Sequence, residues 1–263
     1  MKTVVITGST DGIGKLAAIQ LATEGHQVII HGRNPEKLKA VKDEIIKTTG
    51  NNNILAFNAD LSNMSEIKGL ARSIAQNVSS IDALINNAGV FKSTTLKIKE
   101  GLDLRFVVNY LAPVALTNEL MPLLTKSNSR IINLSSAAQA SVSLNALNGK
   151  AAIDVQSSYA QSKLALTIWS FYLAKKHPSL TIIAVNPGSL LNTKMVQEAY
   201  GHFWDSADKG ATILFQLATE EQHNSNSGKY FDNDKGSFSR AHKDAYDQDK
   251  INVLISETNN ILK

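Results

Sequence analysis

Apolar and polar positions alternate along this chain in two rhythms that follow one another from end to end. Short continuous apolar runs, Val4–Ile6, Gln27–Ile30, Ile54–Phe57, Asp82–Asn86, Arg130–Ser135 and Leu180–Val185, read as strands buried on both faces. Between them lie stretches with helical spacing: Lys15–Ala22, Pro35–Lys47, about 65–78, Leu104–Leu124 and Ser158–Lys176. Pro113 predicts an irregularity in the fourth of these helices, and Pro178 follows the fifth. Strictly alternating strands and helices predict an α/β fold, a Rossmann-like doubly wound parallel sheet with helices on both faces. No repeat or linker interrupts the pattern, so residues 1–263 are expected to form one nucleotide-binding domain, with substrate loops in the C-terminal part. The segment Asp232–Asp249 is strongly polar and is expected to be a surface loop.

In such a sheet, ligands bind beyond the carboxyl ends of the strands, and the polar residues at those ends carry the candidate chemistry. The first strand runs into Thr7-Gly8-Ser9-Thr10-Asp11-Gly12-Ile13-Gly14 and then a helix. A glycine-rich turn at a helix N-terminus points backbone N–H groups and the positive end of the dipole at one spot, an anion cradle. Taken alone, it is also a tight strand–helix connection. Asn86-Asn87-Ala88-Gly89 ends the fourth strand, Ser135-Ser136 the fifth and Asn186-Pro187-Gly188 the sixth. Each of these also suits an ordinary turn. Asn109 interrupts an apolar helix, either as a structural bridge or within a polar network. Tyr159 and Lys163 stand four apart on one helix face. An ammonium beside a phenol favours the phenolate, so this spacing suits a tyrosine acid–base group tuned by lysine; taken alone, it is also an exposed helix pair.

Composition removes several alternatives. With no cysteine, disulfides, thiolate metal sites and cysteine nucleophiles are excluded. The net charge of +4 is spread without a Lys/Arg block, which argues against nucleic acid and is compatible with an anionic cofactor. No metal site is expected. No apolar run is long enough to span a bilayer and the chain enters a strand at once, so a cytoplasmic protein without a signal peptide is expected.

Together the T-G-x-x-x-G-x-G turn, N-N-A-G, Asn109, N-x-x-S at Asn133–Ser136, Y-x-x-x-K and N-P-G resemble the short-chain dehydrogenase/reductase family from Lys2 to about Tyr230. The Ser227–Phe231 segment resembles the G-x-Y-F of its retinol-dehydrogenase-like branch, which also holds protochlorophyllide-reductase-like enzymes. The resemblance implies that Tyr159 is the acid–base group, and that Lys163 binds the nicotinamide ribose and tunes Tyr159. It implies that Ser136, rather than Ser135, holds the substrate oxygen, and that Asn109 supports Lys163 through a water. The cofactor would meet Gly8, Ser9, Thr10, Gly12, Ile13 and Gly14, with Asp60 and Leu61 near the adenine. Asn87, Ala88 and Gly89 would lie beside it, and Pro187, Gly188 and Thr193 would flank the carboxamide.

His31-Gly32-Arg33-Asn34 ends the second strand. NAD-preferring relatives carry an acid where Gly32 stands; Arg33 and Asn34 instead suit the 2′-phosphate of NADP(H). The expected activity is NADP(H)-dependent interconversion of a carbonyl and an alcohol, on a small, largely apolar substrate. Carbon–carbon double-bond reduction and cofactor sensing are the alternatives. The polar segment between Ser136 and Tyr159, including Gln139, is longer than in typical members and has no assigned role. Leu190, Met195, Phe203 and Trp204 are pocket candidates. The family commonly pairs the helices bearing Asn109 and Tyr159 between subunits, with departures in this branch, so the resemblance implies either a homo-oligomer or a single chain.

Overall fold

The computed structural model describes residues Met1–Lys263. Its centre is an eight-stranded sheet: β1 (Thr3–Ile6), β2 (Gln27–Gly32), β3 (Ile54–Asn58), β4 (Ala83–Asn86), β5 (Arg130–Leu134), β6 (Thr181–Asn186), β7 (Lys229–Asp232) and β8 (Ser237–Ser239). The strand order is β3-β2-β1-β4-β5-β6-β7-β8, parallel except for the antiparallel β7–β8 pair.

Successive residues of each central strand point into opposite layers. Val5, Ile29, Leu84, Ile131 and Ile182 enter one core, while Val4, Ile6, Ile30, Ile85, Ile132 and Ile183 enter the other. The second layer is covered by α1 (Gly12–Thr23), α2 (Pro35–Thr49) and, from later in the chain, a helix over Ala207–Thr219. The first layer is covered by α3 (Met64–Asn77), the short α4 (Leu104–Phe106), α5 (Ala112–Leu124), α6 (Leu144–Leu147) and α7 (Val155–Lys176). This double coverage is why the central strands read as continuous apolar runs. Three more helices complete the chain: α8 (Lys194–Tyr200), α9 (Ala207–Thr219) and α10 (Gln248–Ile261). No helix is long and apolar enough to cross a membrane.

Three features refine, correct or add to the sequence expectations, the first being the irregularity predicted at Pro113. The helix expected over Leu104–Leu124 contains a π-helical turn, Val107–Leu111, in which Ala112 N–H bonds to Val107 O. Pro113 adds to the break, because it has no N–H to offer the Asn109 carbonyl one turn back. The polar segment Asp232–Asp249 is not simply a surface loop. It holds β8 and a 3₁₀ turn at Lys243–Tyr246, and buries Asp244 and Ala245. Its polarity is spent on internal bonds: Asp244 takes Lys250 at 2.7 Å, and Asp232 and Asp234 take Asn186 at 3.0 and 2.8 Å. Finally, α10 buries Ile251, Leu254 and Ile255 against the layer containing α5 and α7. Thr258 and Tyr110 are joined at 2.6 Å beneath it. The last helix therefore packs along α7 and is tied to the segment bearing Asn109 through Thr258 and Tyr110.

Candidate active site

The chain runs outward from β1 to β3, then crosses back to β4 on the other side of β1. This is the switch point of the sheet, where a crevice opens between the loops that leave β1 and β4. Those two loops are stapled together. Thr7 Oγ1 accepts the Asn87 and Ala88 N–H groups at 3.1 Å, and Asn87 Nδ2 donates to the Thr7 and Gly8 carbonyls at 2.8 and 2.9 Å. The packing explains two glycines. A Cβ on Gly8, whose φ is +65°, would lie 2.8 Å from Ala88 Cα, and one on Gly14 would lie 2.3 Å from Asn87 Nδ2. Gly12 and Ile13 begin α1, and Gly12 faces the Thr193 methyl. The crevice is thus bounded by the first turn of α1 on one side and by the start of α8 on the other.

Several polar residues here act as braces. Ser9 is fully buried; its hydroxyl donates toward Ile6 O and accepts from His31 N. Asn34 caps α2 by accepting Lys37 N–H at 2.7 Å. Asp11 caps α1 and pairs with Lys37 Nζ at 2.7 Å, which offsets a carboxylate placed where an anion would dock. Asp60 Oδ1 accepts from the Ser62 N–H and hydroxyl, while Leu61 turns into the core. Arg33, in contrast, is exposed and makes no ion pair or side-chain hydrogen bond. Thr10 lies against Gly32: a Cβ there would meet Thr10 Cγ2 at 2.4 Å.

His31 has no counterpart among the sequence expectations. It is 2% exposed, accepts Gly8 N–H at Nδ1 (3.2 Å) and donates from Nε2 to Ala59 O (3.0 Å). Burial lowers its pKa to about 4, so it stays neutral and ties the glycine turn to the end of β3. A histidine among the apolar residues of β2 was the available signal.

The proton-transfer candidates meet beyond β4 and β5. Lys163 Nζ, on α7, donates to Leu134 O at 2.7 Å and lies 5.6 Å from the centre of the Tyr159 ring. A Cβ on Gly89 would be 3.3 Å from Asn109 Oδ1 and 3.6 Å from Lys163 Nζ, so these three residues share one corner. Asn109 is fully buried. Its amide spans the Val90 backbone, accepting from N at 2.8 Å and donating to O at 3.0 Å, and also donates to Ser162 Oγ. Its side chain is thus a bridge, while Pro113 offers its main-chain carbonyl no N–H four residues on.

Ser135 and Ser136 have separate fates. Ser135 is buried, bonded to Thr167 Oγ1 at 2.6 Å and to Lys163 O at 3.2 Å, and knots β5 to α7. Ser136 is half-exposed, and its hydroxyl partly offsets the rise that burial gives the Tyr159 phenol. Its Oγ accepts Ala138 N–H at 3.1 Å, which leaves the hydroxyl proton free to donate.

The electrostatics depart from expectation. Burial, more than Lys163, sets the Tyr159 phenol: desolvation pushes its pKa up to about 12. The same burial lowers Lys163 to about 8. As a residue, Tyr159 keeps some exposure to the cleft, but its hydroxyl lies deep. Phe91 stands edge-on to its ring at 4.9 Å, and Tyr200 follows Phe91 at 5.8 Å. Leu190, in a left-handed conformation, follows Pro187-Gly188-Ser189. Of the pocket candidates beyond it, Phe203 and Trp204 are exposed and Met195 is half-exposed.

Comparison with known proteins agrees with this geometry. The profile described as short chain dehydrogenase matches residues 2–202. Human retinol dehydrogenase 13 is 33% identical over 252 residues, covering 88% of this chain and 76% of its own. Human polyprenol dehydrogenase is 34% identical over 215 residues, covering 77% and 64% respectively. An Escherichia coli CFT073 protein solved in complex with NADPH superposes with a TM-score of 0.73 at 27% identity, covering 88% of this chain and 96% of that one. The strand order, the stapled glycine turn and these matches together establish that the chain belongs to the short-chain dehydrogenase family, in its retinol-dehydrogenase-like branch.

Proposed function

We propose that this oxidoreductase is NADP(H)-dependent and interconverts an apolar carbonyl compound and its alcohol. The observation that carries the proposal is the convergence of Tyr159, Lys163 and Asn109 beyond β4 and β5, with the donor-ready Ser136 hydroxyl at the end of β5. The crevice fits a dinucleotide: two glycines that tolerate no Cβ shape the turn, α1 presents its N-terminus, and Arg33 is unpaired at the end of β2. When bound, the nicotinamide supplies or accepts the hydride.

The protein's own groups manage the oxygen. Ser136 donates a hydrogen bond to the substrate oxygen and fixes its position. Tyr159, a protonated phenol at neutral pH whose burial keeps it so well into the alkaline range, delivers a proton to that oxygen as negative charge develops on it. Lys163, with a cation near the phenol, stabilises the phenolate left behind and holds the ribose. The carbonyl of Asn109, freed at Pro113, accepts a water that returns a proton toward Lys163. Phe91 gives the reacting end an aromatic wall. The names of the relatives, which act on retinol and polyprenol, favour long apolar alcohols and their aldehydes as the class to test.

A panel of aromatic, aliphatic and polyene aldehydes and ketones, including all-trans-retinal, followed at the nicotinamide absorbance with NADPH and with NADH, tests this assignment. Reduction with NADPH that disappears in Tyr159→Phe, with NADPH binding retained, is the expected result. Undiminished turnover in that variant contradicts the assigned role.

A further inference from the structure

Two sequence features have no part in the chemistry above: the G-x-Y-F segment at Ser227–Phe231 and the long polar segment between Ser136 and Tyr159. They converge on one atom. The Ser136 carbonyl oxygen accepts the Tyr230 hydroxyl at 3.0 Å and Gln139 Nε2 at 2.9 Å. Gln139 comes from the polar segment, and its Oε1 accepts His242 N–H at 3.1 Å, from the segment that follows β8. Tyr230 lies on β7, opposite Ala184 of β6, and is 4% exposed.

We propose that Tyr230 and Gln139 are positioning residues that fix the peptide of Ser136, and through it the direction of the Ser136 hydroxyl. β5 ends at Leu134, so no ladder hydrogen bond holds the backbone two residues later. The Ser136 side chain is held only through the Ala138 N–H that it accepts. Rotation of its peptide would swing that hydroxyl away from Tyr159. Two donors on one carbonyl prevent this rotation, and one of them is rigid. Tyr230 sits in a strand and burial keeps its phenol protonated, so it can only donate to the carbonyl. Gln139 adds the second bond and links it to the C-terminal segment.

The inference rests on the role proposed for Ser136, and a double-mutant cycle separates the two. The experiment measures kcat and KM for the fastest-reduced compound of the panel, with NADPH affinity by fluorescence titration. It uses Ser136→Ala, Tyr230→Phe, Gln139→Leu and each pair with Ser136→Ala. Tyr230→Phe keeps the ring and removes one neutral hydrogen bond, so kcat should fall about fivefold to tenfold with NADPH affinity unchanged. Gln139→Leu should act in the same direction if Tyr230→Phe does not fold. In the Ser136→Ala background, either change should cost less than about twofold, because the group it positions is gone. If Ser136→Ala is slow but Tyr230→Phe and Gln139→Leu are silent, or their effects multiply with it in full, the positioning role is overturned and the role of Ser136 stands. If Ser136→Ala keeps the normal rate, both fall.

Discussion

Tyr159 and Lys163 share a helix face, yet burial moves their proton affinities in opposite directions, up to about 12 and down to about 8. Reduction needs Tyr159 protonated and Lys163 charged, and Lys163 loses its proton first as pH rises. The kcat/KM for carbonyl reduction should therefore be level near neutrality and decline above about pH 8. Lys163→Arg keeps a cation at any working pH and should move that decline upward at reduced rate. A limb unmoved by this substitution would assign it to another group. The adjacent serines provide a second test. Ser136→Ala should lower the rate by about 10²–10³-fold with stability retained, as for other single oxyanion donors. Ser135→Ala leaves Thr167 without its 2.6 Å partner and should show mainly as a lowered melting temperature. At this scale the motifs were legible because residue type and spacing carry them: Tyr159, Lys163, Asn109 and Ser136 do come together. Direction was legible only in part. The N-x-x-S run singles out Ser136 over Ser135, but no such pattern marks Ser9 as a serine turned inward.

The elements were legible where burial imposes a pattern. β1, β2 and β4 through β6 are covered on both faces and the edge strand β3 in part, so their apolar runs could be read directly. β8 and the 3₁₀ turn could not, because Asp232, Asp234 and Asp244 are satisfied internally and look like surface residues in sequence. The π turn at Val107–Leu111 has only Pro113 as its signal. His31 shows how one element braces another. Its unfolded pKa is 6.5 and its folded value about 4, so the unfolded chain binds more protons between these limits. Stability is therefore lost as pH falls from 6.5 toward 4, by about 3 kcal/mol in all for this one group. His31→Asn should be less stable at neutral pH but less sensitive to acid over that window. Denaturant midpoints measured at several pH values check this, and equal slopes for both proteins would place the acid sensitivity elsewhere.

At the scale of the whole molecule, the order β3-β2-β1-β4 fixes where the crevice lies, and the last helix fixes what the opposite side can do. With α10 packed along α7, pairing through that face of α7 requires α10 to leave and expose Ile251, Leu254 and Ile255. The chain should therefore sediment as a monomer at micromolar concentration; a stable dimer that dissociates on substitution of outward residues of α5 or α7 would contradict this. Cofactor choice also belongs to this scale, since it links the glycine turn, β2 and α2. Thr10 occupies the space that a side chain at position 32 would need, 2.4 Å from its Cβ, and Asn34 is engaged in capping. An acid introduced as Gly32→Asp thus needs Thr10→Gly beside it before it can accept a ribose hydroxyl.

Arg33 remains as the free cation at the end of β2, and its removal tests the NADP(H) assignment without knowledge of the substrate. Calorimetric titration of the unaltered protein and of Arg33→Ala with NADPH and NADH should give tighter binding of NADPH to the unaltered protein, by a margin that salt narrows. Arg33→Ala should weaken NADPH by about 10- to 100-fold, the worth of a charge-assisted contact, and NADH by less than about twofold. Equal losses for the two cofactors, or tighter NADH binding before any substitution, would contradict the account.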